Sequence, residues 1–112
     1  MADPRSDLLQ GTLDLLILKI CGAGPVHGYA ISQRLRSRSE DVLQVQQGSL
    51  YPALQRLQAN GWVTSKWGAS PTGRRARYHT ITAAGRRVLG AKMTSFDRVL
   101  GAIARVMQQG EA

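Results

Sequence analysis

Cysteine is nearly absent from this chain, and acid is missing from its middle. One thiol, Cys21, among 112 residues excludes an internal disulfide framework and fits a reducing compartment. Long hydrophobic runs are also lacking: Leu13 to Cys21 is interrupted by Asp14 and Lys19, too short and too charged to span a bilayer. The polar opening Met1 to Asp7 is no signal peptide. No pair among Cys21, His27 and His79 has metal-ligand spacing, and no carboxylate cluster accompanies them. A metal site is therefore not expected. Ser49 has no local His and acid partners, so nucleophilic catalysis is not expected either. No cofactor is implied. What remains is a small, soluble, cytoplasmic, non-enzymatic domain, with 43% hydrophobic residues to fill a modest core.

The charge is concentrated. Fifteen Lys+Arg against seven Asp+Glu give +8, and between Val42 and Phe96 there is no acid at all. That stretch carries Arg56, Lys66, Arg74, Arg75, Arg77, Arg86, Arg87 and Lys92. The rest of the chain balances seven cations with seven anions, so the whole net charge lies in this segment. A one-sign segment is the footprint of a phosphate partner. A membrane-surface helix would need cations opposite bulky apolar residues. Here much of the charge surrounds Ser70-Pro71-Thr72-Gly73, a loop. Nucleic acid is the better match.

Periodicity then places the elements. Leu9, Leu13, Leu16 and Ile20 step as one face of a first helix, about Leu8 to Cys21. Leu15, Ile17 and Leu18 make it apolar on most sides and central. Gly22 to Pro25 stops it. A second helix follows from about Gly28 to Arg38, opened by His27, with Ile31 and Leu35 inward and Arg34, Arg36 and Arg38 outward. In Gln47 to Leu54, Pro52 belongs in a first turn, which makes Ser49 the expected N-cap. Leu50, Leu54 and Leu57 face the core, and Asn60-Gly61 ends the third helix.

Trp62 to Lys66 reads as extended, Gly68 to Gly73 as a loop, and Ala76 to Thr82 as a returning strand, together a hairpin with a long basic tip. Thr82 caps a last helix reaching toward Gln109, roughly 40 Å long at about 1.5 Å per residue. Leu89, Met93, Phe96, Leu100, Ile103 and Met107 form a heptad seam along it. Six large apolar side chains are too many to leave wet. The first helix can cover some, and a second subunit is expected to cover the rest.

The resulting fold class is mainly α with a small β-hairpin: a winged helix-turn-helix over residues 1–82, then a long C-terminal dimerisation helix over 83–112 in the same compact unit. In that architecture the third helix enters the major groove and the hairpin lies on the backbone or minor groove. Gln47, Ser49, Tyr51, Gln55 and Arg56 are the expected recognition residues. Lys66, Arg74, Arg75 and Arg77 are the expected wing contacts, supplying affinity more than sequence choice. A two-fold homodimer would set two recognition helices about 34 Å apart on double-stranded DNA, implying a partly palindromic operator.

Several stretches also resemble one family. Leu9-Gln10-Gly11-Thr12-Leu13, His27-Gly28-Tyr29, Gly48-Ser49-Leu50-Tyr51-Pro52-Ala53-Leu54, Asn60-Gly61-Trp62, Gly73-Arg74-Arg75-Ala76-Arg77-Tyr78 and Thr82-Ala83-Ala84-Gly85-Arg86-Arg87 look like successive signatures of PadR-family transcriptional regulators. The resemblance covers roughly residues 8 to 90, to the short subgroup with a single C-terminal helix. It implies a dimeric repressor that responds to a small-molecule effector. A ligand between the last helix and the neighbouring subunit, against Met93 and Phe96, would alter the spacing of the recognition helices.

Some assignments stay open at this level. Tyr51 suits either DNA or an interhelical hydrogen bond. Trp62 is expected in the core, whereas Trp67 fits a ligand, a base or the core. A sequence-neutral architectural protein or an RNA-binding winged helix is the alternative function, distinguished by its specificity ratio at fixed salt.

Overall fold

A computed structural model describes residues 4–110, with side chains described from Thr12 onward. Helix α1 spans Pro4–Cys21, beginning four residues before the apolar pattern does. Its first turn is Pro-Arg-Ser-Asp, where proline is pre-organised for a helix start but hydrophobic periodicity is blind. The expected inward position of Leu9 lies outside the described side chains. From there α1 buries Leu13, Ile17, Leu18, Ile20 and Cys21, touching every other helix. Burial pushes the Cys21 thiol up to about 12, which keeps it protonated and makes it a packing residue.

Helix α2, Gly28–Arg38, is opened by His27, whose ring Nδ1 accepts from the Ala30 N–H at 3.2 Å. Just before it, Val26–His27 form a two-residue strand, β1. This strand was not expected, because two residues carry no periodic signal.

Helix α3, Gln47–Ala59, starts earlier than expected. Ser49 is not its N-cap. Gln46 precedes the helix in an extended conformation, and its carbonyl accepts from both Ser49 and Leu50 N–H at 3.0 Å. Pro52 therefore lies inside the helix, where it removes the bond to the Gly48 carbonyl. Gly48 is exposed, so that carbonyl lies at the surface, where losing the helical bond costs little. The C-terminus closes with two hydrogen bonds: Trp62 N–H to Leu57 carbonyl and Gly61 N–H to Gln58 carbonyl, both 3.0 Å. Gly61 takes the positive φ of 77° this closure needs.

Strands β2, Val63–Ala69, and β3, Arg75–Ile81, extend further than the Gly-rich sequence implies. The long tip shrinks to Ser70–Arg74, closed by Gly73 N–H to Ser70 carbonyl and Ser70 N–H to Arg74 carbonyl. Cross-strand pairing overrides the loop composition: Gly68 pairs with Ala76 and Ala69 with Arg75. The Tyr78 ring passes where a side chain on Gly68 would stand, and its hydroxyl donates to the Ala69 carbonyl at 2.7 Å. The sheet order is β1-β3-β2, all antiparallel.

Helix α4, Ala83–Gln108, is capped by Thr82 as expected, its hydroxyl accepting from Gly85 N–H at 3.0 Å. Its start packs on α1 and the core through Val88 and Leu89. The Arg86 guanidinium donates to the Gly22 carbonyl past the end of α1 at 3.2 Å. Farther along, Leu100, Ile103 and Met107 are 48%, 53% and 78% exposed. No helix among the described residues is long and apolar enough to cross a membrane.

The α3 exit and the α4 start are joined directly. Thr82 donates from its N–H to the Trp62 carbonyl at 3.0 Å and from its hydroxyl to the Gly61 carbonyl at 2.7 Å. A Cβ at Gly85 would overlap the Trp62 carbonyl oxygen and stand 2.8 Å from Ile81 Cγ1. Gly85→Ala should therefore destabilise the fold by about 1–3 kcal/mol through overpacking, read as a lower urea midpoint at unchanged slope.

Candidate nucleic-acid interface

Helix α3 has one face committed to the core: Leu50, Ala53, Leu54 and Leu57 are buried. At about 100° per residue, Gly48, Pro52, Gln55 and Ala59 point the opposite way, and all are exposed. Ser49 flanks them on one side and Tyr51 on the other. Tyr51 is 53% exposed while its ring edge lies against Gly28 of α2, where a Cβ would be 3.4 Å from Cε1. The ring thus rests on α2 and still faces solvent.

Two expected recognition residues are otherwise engaged. Gln47 is turned toward α2, where its amide nitrogen donates to Ser32 Oγ at 2.9 Å, and its Oε1 is buried without a hydrogen-bond partner. Arg56 reaches back to Asp14 of α1 at 3.0 Å. Helical phase decides both, since each sits between the buried and outward faces next to a neighbouring helix. Ser49, Tyr51 and Gln55 remain on the open side. Tyr29 of α2, 62% exposed, is an aromatic surface residue that sequence reasoning passed over. Its phase opposite Ile31 and Leu35 was the available signal.

The wing divides by strand parity. Successive residues alternate faces, and the register pairs Trp67 with Arg77, Ser65 with His79 and Val63 with Ile81. Arg75, Arg77 and Trp67 therefore continue the face that carries buried His79 and Ile81. Lys66 pairs with Tyr78 on the opposite face. Arg74 sits in the tip turn. The sequence grouped these four cations, and the pleat separates them.

Trp67 is 59% exposed. The Arg75 guanidinium lies 5.1 Å from its ring centroid and that of Arg77 5.7 Å. Such stacking is favourable cation–π geometry. No carboxylate pairs with either arginine among the described residues.

A hydrogen-bond chain ties this face to α3. Ser65 donates its hydroxyl to Gln58 Oε1 at 3.1 Å, so its oxygen accepts from His79 Nδ1 at 2.8 Å. Burial, then the charges of Arg77 and His27, hold His79 below the ordinary histidine value of 6.5. The Trp67 face is consequently the side of the wing turned toward α3.

Comparisons with known proteins agree with this fold. Residues 17–91 match the family described as "Transcriptional regulator PadR-like family". A PadR-like transcriptional regulator from Bacillus cereus is 30% identical in a structure superposing with a TM-score of 0.80, over 94% of this chain and 99% of that one. A transcriptional regulator from Clostridium thermocellum is 27% identical with a TM-score of 0.80, over 88% and 96%. An uncharacterised protein of Lysinibacillus sphaericus is 30% identical over 85% of this chain and 87% of its own.

Two outcomes are expected. Arg75→Ala and Arg77→Ala should each reduce the slope of log affinity against log salt for duplex DNA by about one, with Lys66→Ala changing it less. A Lys66 effect equal to theirs would remove the distinction between the faces. His79 binds its proton more weakly folded than unfolded, so its contribution to stability is complete above about pH 6.5 and is lost as pH falls through the lowered folded value. Urea unfolding from pH 7.5 downward should show that decline, and His79→Gln should flatten it.

Proposed function

The chain belongs to the PadR-like family of transcriptional regulators, and from this premise we propose that it is a homodimeric, sequence-specific repressor that binds a partly palindromic operator and answers to a small-molecule effector. Its relatives are transcriptional regulators, not enzymes. The observation that carries the proposal is the open face of α3 beside an acid-free cationic wing. Ser49, Tyr51 and Gln55 supply hydroxyl and amide groups suited to base edges, Gln to adenine above all. The wing arginines supply charge for phosphates.

The dimer rests on α4. Met93, Leu100, Ile103 and Met107 are exposed along the expected seam, with Val99 and Val106 beside it. Burying side chains of this kind contributes about 1.5–3 kcal/mol each when complete. A second copy of the same helix is the self-complementary partner that a two-fold axis provides. Leu89 and Phe96 are half-buried already, so the domain covers the near end and the partner the far end. An effector seated against Met93 and Phe96 would act only through different affinities for two spacings of the α3 pair. The site of action is the cytoplasm, where its DNA is.

One observation favours a second reading, sequence-neutral binding. With Gln47 turned toward α2 and Arg56 drawn into a surface ion pair with Asp14, the outward face of α3 offers Gln55 alone among side chains suited to base edges, beside Gly48, Pro52 and Ala59. The specificity ratio separates the two. At fixed salt, the repressor should prefer its own upstream region over unrelated duplex by about a thousandfold or more, and Gln55→Ala should cut that ratio. Equal affinities collapsing together as salt rises would establish the sequence-neutral reading instead. Ile103→Glu should convert the dimer to monomer in sedimentation equilibrium. A monomer that still binds the full operator with unchanged affinity would refute the two-fold arrangement.

A further inference from the structure

We propose that Trp67 is a positioning residue that holds Arg75 and Arg77 as a preorganised pair for the DNA minor groove, making the wing a reader of groove width at base pairs flanking those α3 contacts. The inference rests on the DNA-binding reading above and specifies what its wing selects.

An exposed indole on the edge strand of the sheet is costly in water unless something uses it. Trp67 stands directly across from Arg77 and diagonal to Arg75, with both guanidiniums within 5.7 Å of its ring centroid. Two cations held over one ring repel each other, and no acid among the described residues neutralises them. A bound anion relieves that repulsion more fully than solvent screening does. The arrangement also fixes long side chains before binding, which removes an ordering cost otherwise paid on association.

The chemistry of the pair then selects the groove. Guanidinium is planar and more weakly hydrated than ammonium, so it tolerates a narrow, partly desolvated slot. A·T-rich DNA offers such a slot, with a narrowed minor groove and enhanced negative potential. G·C pairs widen it and place the guanine 2-amino group on its floor. Position agrees with this choice. The Trp67 face is the one that Ser65 links to Gln58 of α3, so the pair is presented on the same side as the recognition helix. Lys66, on the other face, has no part in it.

The test uses the full-length protein and duplexes of equal length at one salt concentration. A core site is first selected from a randomised library by the wild-type protein, then flanked by A·T tracts, by G·C pairs or by inosine·cytosine pairs. Inosine lacks the guanine 2-amino group while keeping the G·C major-groove pattern. Wild type should favour A·T over G·C flanks by about tenfold, and inosine should recover most of the difference. Trp67→Leu should reduce that ratio to about twofold or less, whereas Trp67→Phe retains it. Arg75→Lys/Arg77→Lys, which leaves the indole and the charge in place, should lose the ratio yet keep the salt slope. A wild-type protein indifferent to the flanks, or a folded Trp67→Leu protein that keeps the preference, overturns the proposal. If selection yields no core sequence, the flanks are compared as uniform duplexes. A preserved A·T preference then supports the wing and sinks sequence-specific recognition, so the two readings fail separately.

Discussion

Everything in this fold that could touch DNA hangs on one junction, where the exit of α3 meets the start of α4. The Trp62 carbonyl accepts from Thr82 N–H, the Gly61 carbonyl accepts from the Thr82 hydroxyl, and the same hydroxyl receives Gly85 N–H. These bonds fasten the C-terminus of α3, the base of the hairpin and the N-cap of α4 into one unit. Gly85 is buried there because the Trp62 carbonyl occupies the space of a side chain. Through these bonds a tilt of α4 would be carried into α3. In the proposed dimer, any change in the angle between the two α4 helices is a change in the spacing of the two α3 helices.

The second consequence is a division of labour around α3. Its flanks are anchored on both sides, by Gln47 to Ser32 and by Arg56 to Asp14, with Tyr51 resting on Gly28. Those contacts hold α3 in place against its neighbours, which lowers the ordering cost that binding would otherwise carry. The wing is held to the same frame by the Gln58–Ser65–His79 chain. The chain runs from the exposed Gln58 to the buried His79, so the His79 Nδ1 is satisfied through Ser65.

The third is an imbalance between length and cover. At about 1.5 Å per residue, the 26 residues of α4 outrun a body whose shorter dimensions are 28 and 26 Å. The near end is packed by α1 and the far end is apolar and exposed. Among the described residues no further element lies over it, and the proposed dimer would cover the exposed seam.

Much was legible from residues alone, for a physical reason common to each case: the signal was local. The inward stripe of α1, the second helix opened by His27, the Asn60-Gly61 stop and the Thr82 cap are fixed by neighbours within a turn or two. So is the acid-free stretch that marks a polyanion partner, since charge count needs no coordinates. Other features were decided by tertiary structure. The start of α3 moved to Gln47 because packing tolerates Pro52 beside an exposed Gly48. Gly68 and Ala69 joined a strand because Tyr78 lies over them. Val26 and His27 became a strand only because β3 offered an edge. Above all, Lys66 was parted from Arg75 and Arg77, Gln47 was turned toward Ser32 of α2, and Arg56 was paired with Asp14 of α1. Which face a residue shows depends on register and helical phase against partners distant in sequence, and only the folded chain supplies them.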